Sequence, residues 1–382
     1  MRILIAPDKF KGSLNAREVA ENIALGLRDV LHDAQIDIVP MADGGEGTAG
    51  VICDALDGCW LKCQAHDPLG RVIDARYAWI ENSKLAVMEM SEAAGMRRLS
   101  ESERDPFLAN TFGLGEMILN AAQRSAREII IGLGGSATND GGFGMARSLG
   151  FHFFAGDEEL TGGVSELQKL TRIEAPVVAG VAPASSTLQP SRLPPQLKIV
   201  AAADVRNPLL GKNGATRVFG PQKGATADKV EILERALTKL ADVVSKEFNF
   251  DYREDASAGA AGGLGFGLMS FCRAKIRPGF DVVAEAVRLE SKMKDIDVVI
   301  TGEGSLDRQT LEGKTPAGVA RLARKLGKRV FAIVGRANKD REVCELFDEV
   351  YQLAQPGMSE KEQMSRAAEL LRERGRELGR KM

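Results

Sequence analysis

Histidine and the large aromatics are scarce in this chain, with three His, two Trp and three Tyr. His32, His66 and His152 stand far apart, and neither an H-E-x-x-H zinc spacing nor a G-x-S-x-G elbow occurs around them. Support for metallo- or serine-hydrolase chemistry falls away, and each histidine reads more simply as a surface or packed residue. Cysteine is sparse too. Cys53, Cys59, Cys63, Cys272 and Cys344 are odd in number and make no C-x-x-C pair. Reduced, mostly buried thiols of a cytoplasmic protein are the expectation. No charge sign dominates, since 51 Lys+Arg face 53 Asp+Glu, and no basic arm or helix-turn-helix pattern points to a nucleic-acid partner. Long apolar runs are also missing. The nearest, 256–272, holds five glycines and suits close helix packing better than a membrane span. The opening Met-Arg-Ile-Leu-Ile-Ala-Pro-Asp fits a first buried strand better than an export signal.

A length of 382 residues exceeds the usual single core, so two domains are expected, and 44% hydrophobic residues argue against disorder. Residues 2–6 read as a strand. An amphipathic helix follows with Val19, Ile23, Leu27, Val30 and Leu31 on one face and Asn15/Glu18 as its capping pair, and 36–39 reads as a second strand before another helix. That is a βαβα opening. The same grammar returns late, with strands at 297–300, 330–334 and 350–353. Between the first two lies a helix with Thr315 at its N-cap, Pro316 at its first position and Gly327 past its end. A last helix starts at Ser359, with Glu362 placed for a capping box.

The middle reads differently. Residues 60–90 look like antiparallel strands turning at 67–70 and near Asn82-Ser83. Later come strands at 129–131 and 198–203, a Pro- and Ser-rich connection around 182–195, and a helix carrying Val230, Leu233, Leu237, Leu240 and Val244. The fold class expected is α/β with two domains: a Rossmann-like parallel-sheet domain built from 1–58 and 282–382, and an inserted mixed α/β domain over 59–281. Residues 108–150 offer a helix, a strand and a glycine loop, and could instead join the first domain.

Four loops that follow strands combine glycines with carboxylates or amides: Asp43–Thr48, Gly134–Gly144, Asp204–Gly214 and Gly302–Asp307. In α/β sheets ligands gather beyond the carboxyl ends of strands, where glycine admits a close backbone approach and helix N-termini favour anions. Carboxylates would repel bare phosphate, but they become favourable once Mg²⁺ lies between. A nucleotide phosphate with its metal fits this mixture best, although any one loop alone could be a tight turn. The Gly134–Gly142 run lacks dinucleotide spacing, which disfavours a dehydrogenase, and Gly313-Lys314-Thr315 fails as a P-loop because Arg308 stands where glycine is required. Lys314 is then either a solvated lysine at a helix start or a phosphate contact. The first turn, Pro7-Asp8-Lys9-Phe10-Lys11-Gly12-Ser13, offers an acid, two cations and a hydroxyl for a carboxylate or phosphate, unless Asp8 only caps the turn.

These loops resemble the bacterial glycerate kinase family in order, spacing and wording over nearly the whole chain. The resemblance rests on Ile5–Asp8 with Phe10–Leu14, Ala42–Thr48, Gly132–Gly142, Asp204-Val205 with Asn207–Leu209, Val218–Ala225, Gly259–Gly265, and Ile300–Gly304 with Leu306-Asp307 and Gly313-Lys314. Three departures stand out: Lys9 where a small polar residue is common, Ala203 where cysteine is frequent, and Ser305 where arginine is usual. The last bears on phosphate or carboxylate affinity, hence on substrate preference. The resemblance implies ATP as co-substrate, Mg²⁺, and D-glycerate as acceptor, usually giving 2-phosphoglycerate.

Phosphoryl transfer calls for positioning and charge neutralisation, so phosphate donors, metal carboxylates and a base near the acceptor hydroxyl are needed. The catalytic candidates are Asp204 as base, Asp8 as the second choice, and Lys11 for phosphate or substrate carboxylate. Ser13, Asn207, Asn139 and Asp140 are candidates for substrate, and Gly44, Gly45, Gly134, Gly135, Ser136, Gly302 and Lys314 for the nucleotide. Asp43, Glu303 and Asp307 are candidates for Mg²⁺. A kinase for another small hydroxy acid, or a non-catalytic sugar-acid or nucleotide sensor on the same fold, are the rival readings. Neither a membrane nor a nucleic-acid partner is expected, and the oligomeric state stays open.

Overall fold

A computed structural model describes residues 1–176, 193–338 and 340–382. The Pro- and Ser-rich connection expected around 182–195 lies largely outside them. The chain divides into two compact units, Met1–Asp57 with Pro278–Met382, and Gly58–Arg277. The expectation from the sequence had placed the divisions at 58/59 and 281/282, and the open segment 108–150 falls in the second unit.

In the first unit a five-stranded, all-parallel sheet runs in the order Glu349–Gln352, Arg329–Val334, Val298–Thr301, Arg2–Ile5, Gln35–Ile38. Its middle strands are apolar on both faces, as a sheet covered by helices requires. The helix Ala16–Arg28 starts at a full capping box in which Asn15 accepts from the Glu18 N–H and Glu18 reaches back to the Asn15 N–H. It buries Val19, Ile23 and Leu27 with Leu370 and Leu371 of the Ala367–Gly379 helix over the sheet. Val30 and Leu31, expected on the same helical face, lie past its end, where the chain turns back on the Leu27 carbonyl. A second difference concerns the helix Thr315–Lys325. Its N-cap is Lys314, so Thr315 is the first helical residue and Pro316 the second. Ser359 caps the Glu360–Ser365 helix through the Glu362 N–H.

The second unit holds a six-stranded mixed sheet ordered Lys275–Arg277, Lys198–Ala202, Glu128–Gly132, Leu85–Glu89, Val72–Ile80, Cys59–His66. The last three strands form an antiparallel meander and the rest are parallel. The helix Ala227–Phe248 buries Val230, Leu233, Leu237, Leu240 and Val244, the expected apolar face. The glycine-rich helix Ala260–Cys272 is buried throughout and begins with Ala261, Gly262 and Gly263 in left-handed conformation. Here absence of a side chain matters: a Cβ on Gly262 would stand 2.0 Å from the Thr138 carbonyl oxygen. The bare backbone lets the 138–142 loop close down, and the Gly141 N–H reaches the Gly262 carbonyl at 3.1 Å.

Of the cysteines, Cys53, Cys63 and Cys272 are buried, Cys344 is half-buried and Cys59 is exposed, and all five are free thiols. Among the described residues no helix is long and apolar enough to cross a membrane.

Replacing Gly262 with alanine combines left-handed strain with a backbone clash, so a loss of roughly 2–5 kcal/mol in urea denaturation is expected. Gly156, also at positive φ but with nothing within 4 Å, is the control. Its alanine variant carries the strain alone and loses about 1–2 kcal/mol.

Candidate active site

In the first unit the chain enters the sheet at Arg2–Ile5, turns one way to Gln35–Ile38, and later builds the strands on the other side from Val298–Thr301 outward. The connections therefore diverge between Arg2–Ile5 and Val298–Thr301, the switch point at which open α/β sheets leave a crevice. Backbone bonds zip the three outgoing loops together. Ala6 N–H donates to Ile300 O at 2.7 Å, Asp8 N–H to Gly302 O at 2.8 Å, and Met41 N–H to Pro7 O at 2.9 Å. At the next turn Gly279 packs so tightly on the loop after the second strand that a Cβ would lie 1.9 Å from the Asp43 carbonyl oxygen.

This zipping presses carboxylates together. Asp8 is 6% exposed; its Oδ2 accepts from Thr315 Oγ1 at 2.7 Å and its Oδ1 from the Lys9 N–H at 2.6 Å. The Lys9 ammonium stands 4.0 Å from Oδ1 of both Asp8 and Asp43 and donates to the Glu46 carbonyl. Asp43 Oδ1 also accepts the Gly45 N–H at 3.1 Å. Glu303 is 9% exposed, with Oε1 accepting from Thr310 Oγ1 at 2.7 Å, and Thr310 accepts the Asp307 N–H at 3.2 Å. Burial, then the neighbouring Asp43 charge, pushes the Asp8 carboxyl up to about 6 despite Lys9. Burial likewise pushes Glu303 up to about 7, with Asp8 and Asp307 adding to the shift while the Thr310 hydrogen bond and Lys314 oppose it.

In the second unit the loops leaving Leu85–Glu89, Glu128–Gly132 and Lys198–Ala202 are joined in the same manner. Met90 N–H donates to Gly132 O, Leu133 N–H to Ala202 O, Met96 N–H to Gly135 O and Ala137 N–H to Ala94 O, all at 2.9–3.1 Å. Beneath them Lys223, 2% exposed, donates from Nζ to Ser136 Oγ and to the Thr138 carbonyl, each at 2.7 Å. Burial lowers this ammonium to about 7, partly offset by Asp140. Asn139 is fully buried; its Nδ2 donates to Thr216 Oγ1 at 2.9 Å, while its Oδ1 and the neighbouring Thr138 Oγ1 are buried without a hydrogen-bond partner. Asp140 is the opposite case. Its oxygens accept from Thr111 N–H and Oγ1 and from the N–H groups of Gly142 and Gly144.

A sequence profile describing the Glycerate kinase family matches residues 3–382. The chain belongs to the glycerate kinase family. It is 39% identical over 379 residues to a glycerate kinase of Halalkalibacterium halodurans, covering 98% of this chain and 97% of that one. A glycerate 2-kinase of Escherichia coli K12 is 41% identical over 344 residues, covering 89% and 86%. A crystal structure assigned to glycerate kinase 2 of Salmonella typhimurium LT2 superposes with a TM-score of 0.84 at 37% identity, covering 100% of this chain and 98% of the other.

Within this glycerate kinase family chain the structure gathers Asp8, Asp43, Gly302, Glu303, Asp307 and Lys314 at one switch point, and gathers Gly134, Gly135, Ser136, Asn139 and Asp140 around Lys223. Two other candidates are already engaged. Ser13 Oγ donates to the Met364 carbonyl at 2.9 Å and Asn207 Nδ2 to the Asn213 carbonyl at 2.7 Å. Lys11 is exposed and makes no ion pair among the described residues, and Asp204 is half-buried. Gly44 lies in the turn that Asp43 closes on Gly45. Sequence reasoning missed Thr315 and Thr310, which clamp the two buried acids, and Lys223. Thr315 had been read as a helix cap, and Lys223 sits between Gly220 and Gly224 with no acidic neighbour in sequence to mark it.

Magnesium can be tested against this geometry. No three His, Cys, Asp or Glu side chains among the described residues are disposed to hold a metal by themselves. Mg²⁺ in nucleotide enzymes, however, takes only one or two carboxylates and completes its shell with phosphate and water. Four carboxylates around two ammonium groups, two of them with proton affinities raised by burial and like charge, fit such a partial site.

Two outcomes follow from these charges. Glu303 in the folded chain holds its proton to higher pH than in the unfolded chain, so its contribution to stability is best at low pH and declines as pH rises from about 4.5 through about 7. Glu303→Gln keeps an acceptor for Thr310 and removes that decline, gaining on the order of 1–3 kcal/mol at pH 8 and little at pH 4.5 in denaturant titrations. Lys223→Met removes both bonds to the 136–138 loop, and faster amide hydrogen exchange across 133–140 with the rest of the unit unchanged is expected.

Proposed function

We propose that this chain transfers the γ-phosphoryl group of ATP to the 2-hydroxyl of D-glycerate, giving 2-phospho-D-glycerate and ADP, as a cytoplasmic enzyme. Family membership, with relatives named as glycerate kinases, supports the reaction class. The observation that carries the reading to residues is the buried acid group at the switch point of the first unit. A carboxylate cluster there is unfavourable alone and becomes favourable beside a metal-bound triphosphate.

In this reading the acceptor oxygen attacks the γ-phosphorus, the bond to the β,γ-bridging oxygen breaks, and the hydroxyl proton passes to a carboxylate. Asp8 suits that last task. A base with pKa near 6 is ionised at neutral pH yet still takes a proton readily, and the Thr315 hydroxyl and Lys9 N–H fix its orientation. Asp204 is the alternative base. Asp43, with Glu303 and Asp307, would hold Mg²⁺, which when bound offsets the charge of the triphosphate. Gly302 positions Asp8 through its carbonyl. Lys314, Lys11 and the backbone N–H groups of Gly44, Gly134, Gly135 and Ser136 are assigned to anionic oxygens. Asn139, whose Oδ1 is unmatched, is a better substrate group than Asp140, whose oxygens are already engaged. Ser13, Asn207 and Gly45 have lesser roles, since their polar groups already serve the protein.

A coupled ADP assay with the two glycerate enantiomers and a panel of small hydroxy acids, followed by NMR assignment of the phosphorylated carbon, tests the reaction. Turnover with tartronate or another hydroxy acid but not D-glycerate would replace the substrate, and product phosphorylated at carbon 3 would replace the regiochemistry. For the base, Asp8→Asn should lower kcat by about 10²–10⁴-fold with ADP affinity little changed. The parent's kcat/KM should fall as pH drops below about 6. Parent-like turnover in Asp8→Asn together with collapse in Asp204→Asn would transfer the role to Asp204.

A further inference from the structure

In the second unit, a cavity of about 370 Å³ is lined by Lys62, Asp74, Arg76, Glu92, Arg97 and Arg98. It holds four cationic side chains against two carboxylates, and no role assigned above uses it. Its floor is built. Glu92 is 8% exposed; Arg98 donates to its carbonyl at 2.7 Å and to Oε2 at 3.0 Å, Arg97 pairs with Oε1 at 2.5 Å, and Arg76 stands 3.6 Å from Oε1. One buried carboxylate thus draws three guanidinium groups together. On the adjoining strands Lys62 is the direct antiparallel partner of Arg76. Like charges directly opposite on a sheet repel, and Lys62 makes no ion pair among the described residues. Even with Asp74 counted, four cations face two acids in the lining, so the local surplus is positive. Guanidinium groups pre-set around a shared anchor present forks suited to phosphate or carboxylate.

Arg97 and Arg98 stand on a segment bound to the glycine loop. Met96 N–H donates to Gly135 O at 2.9 Å, Ala137 N–H to Ala94 O at 2.9 Å, and Gly95 bridges Ser136. Arg97 Nε holds the Ser91 carbonyl at the start of the same turn. An anion that fixes these guanidinium groups therefore stiffens the backbone against which the 134–137 loop is hung. We propose that this cavity is a second anion site, for a small phosphorylated or dicarboxylic acid, and that its occupancy restrains the Gly134–Ala137 loop. The inference goes beyond the kinase reading and does not depend on it.

Trp60 supplies a local probe, since the Arg76 guanidinium lies 4.5 Å from its ring centroid and the side chain is 40% exposed. Titrating the full chain with inorganic phosphate, and separately with malonate, should give a saturable change in tryptophan fluorescence that vanishes in Trp60→Phe. Sodium chloride at equal ionic strength should not reproduce it. Lys62→Glu, at an exposed site with no ion pair to lose, should raise the half-saturating concentration at least about tenfold, and Arg76→Gln should do likewise. A response to only one probe identifies the ligand as phosphate- or carboxylate-bearing. Titrations unchanged in both variants, or a signal that chloride reproduces, overturn the site. Hydrogen exchange across 133–140 tests the coupling: the ligand should slow it in the parent and not in Lys62→Glu, and equal slowing in both overturns the coupling.

Discussion

Carboxylates that the backbone does not allow to part are the constraint on which the first unit's chemistry rests. On an open surface Asp8, Asp43 and Glu303 would rotate away from one another into water. Here the Ala6, Asp8 and Met41 N–H groups are bonded across to neighbouring loops, so the side chains stay where parallel strands end. Hydroxyls, and not only cations, then hold the acids: Thr315 on Asp8 and Thr310 on Glu303. A hydroxyl orients a carboxylate without neutralising it. What remains is raised proton affinity and, by the same electrostatics, affinity for a hard cation brought in on phosphate.

The second unit applies the same logic with the opposite sign. Lys223 is buried without a carboxylate in contact and is tied to a hydroxyl and a carbonyl. Its third donor and the unmatched Asn139 Oδ1 and Thr138 Oγ1 leave this loop short of partners on its own. The Gly259–Gly265 run carries the backbone to that position, because no other residue permits the approach of Gly262 to Thr138. Packing that reads as fold in the sequence is what shapes the loop.

Much of the architecture was legible because its signals are local. The Asn15/Glu18 capping box, the turns that break 60–90 into antiparallel strands and the 3.6-residue period of Val230 to Val244 each act within a few residues of themselves. Boundaries were less legible where tertiary partners compete. Thr315 has the chemistry of an N-cap, yet its hydroxyl goes to Asp8, 307 residues away in sequence, and the cap shifts to Lys314. Val30 continues a helical period that the chain abandons when it turns on Leu27. Site residues were legible as types and as loops, not as partners. Nothing near Lys223 in sequence shows that it will be enclosed, and although Arg97 and Arg98 follow Glu92 closely, nothing there shows Arg76 converging with them on it.

A glycine-rich loop is also not a count of anion-binding donors. The Gly45 N–H is taken by Asp43, and those of Gly142 and Gly144 by Asp140, so part of the apparent phosphate cradle is filled by the protein's own carboxylates. For Asp140, 1% exposed and bonded by four donors, the carboxylate is an internal substitute for an anion, and its function is to hold the turn. Asp43 differs because it is only partly enclosed and shares its oxygen with an ammonium 4.0 Å away, a contact weak enough for an incoming cation to displace. The distinction between a filled and a displaceable carboxylate, rather than the density of glycine, separates the loops that shape the protein from those able to meet a ligand.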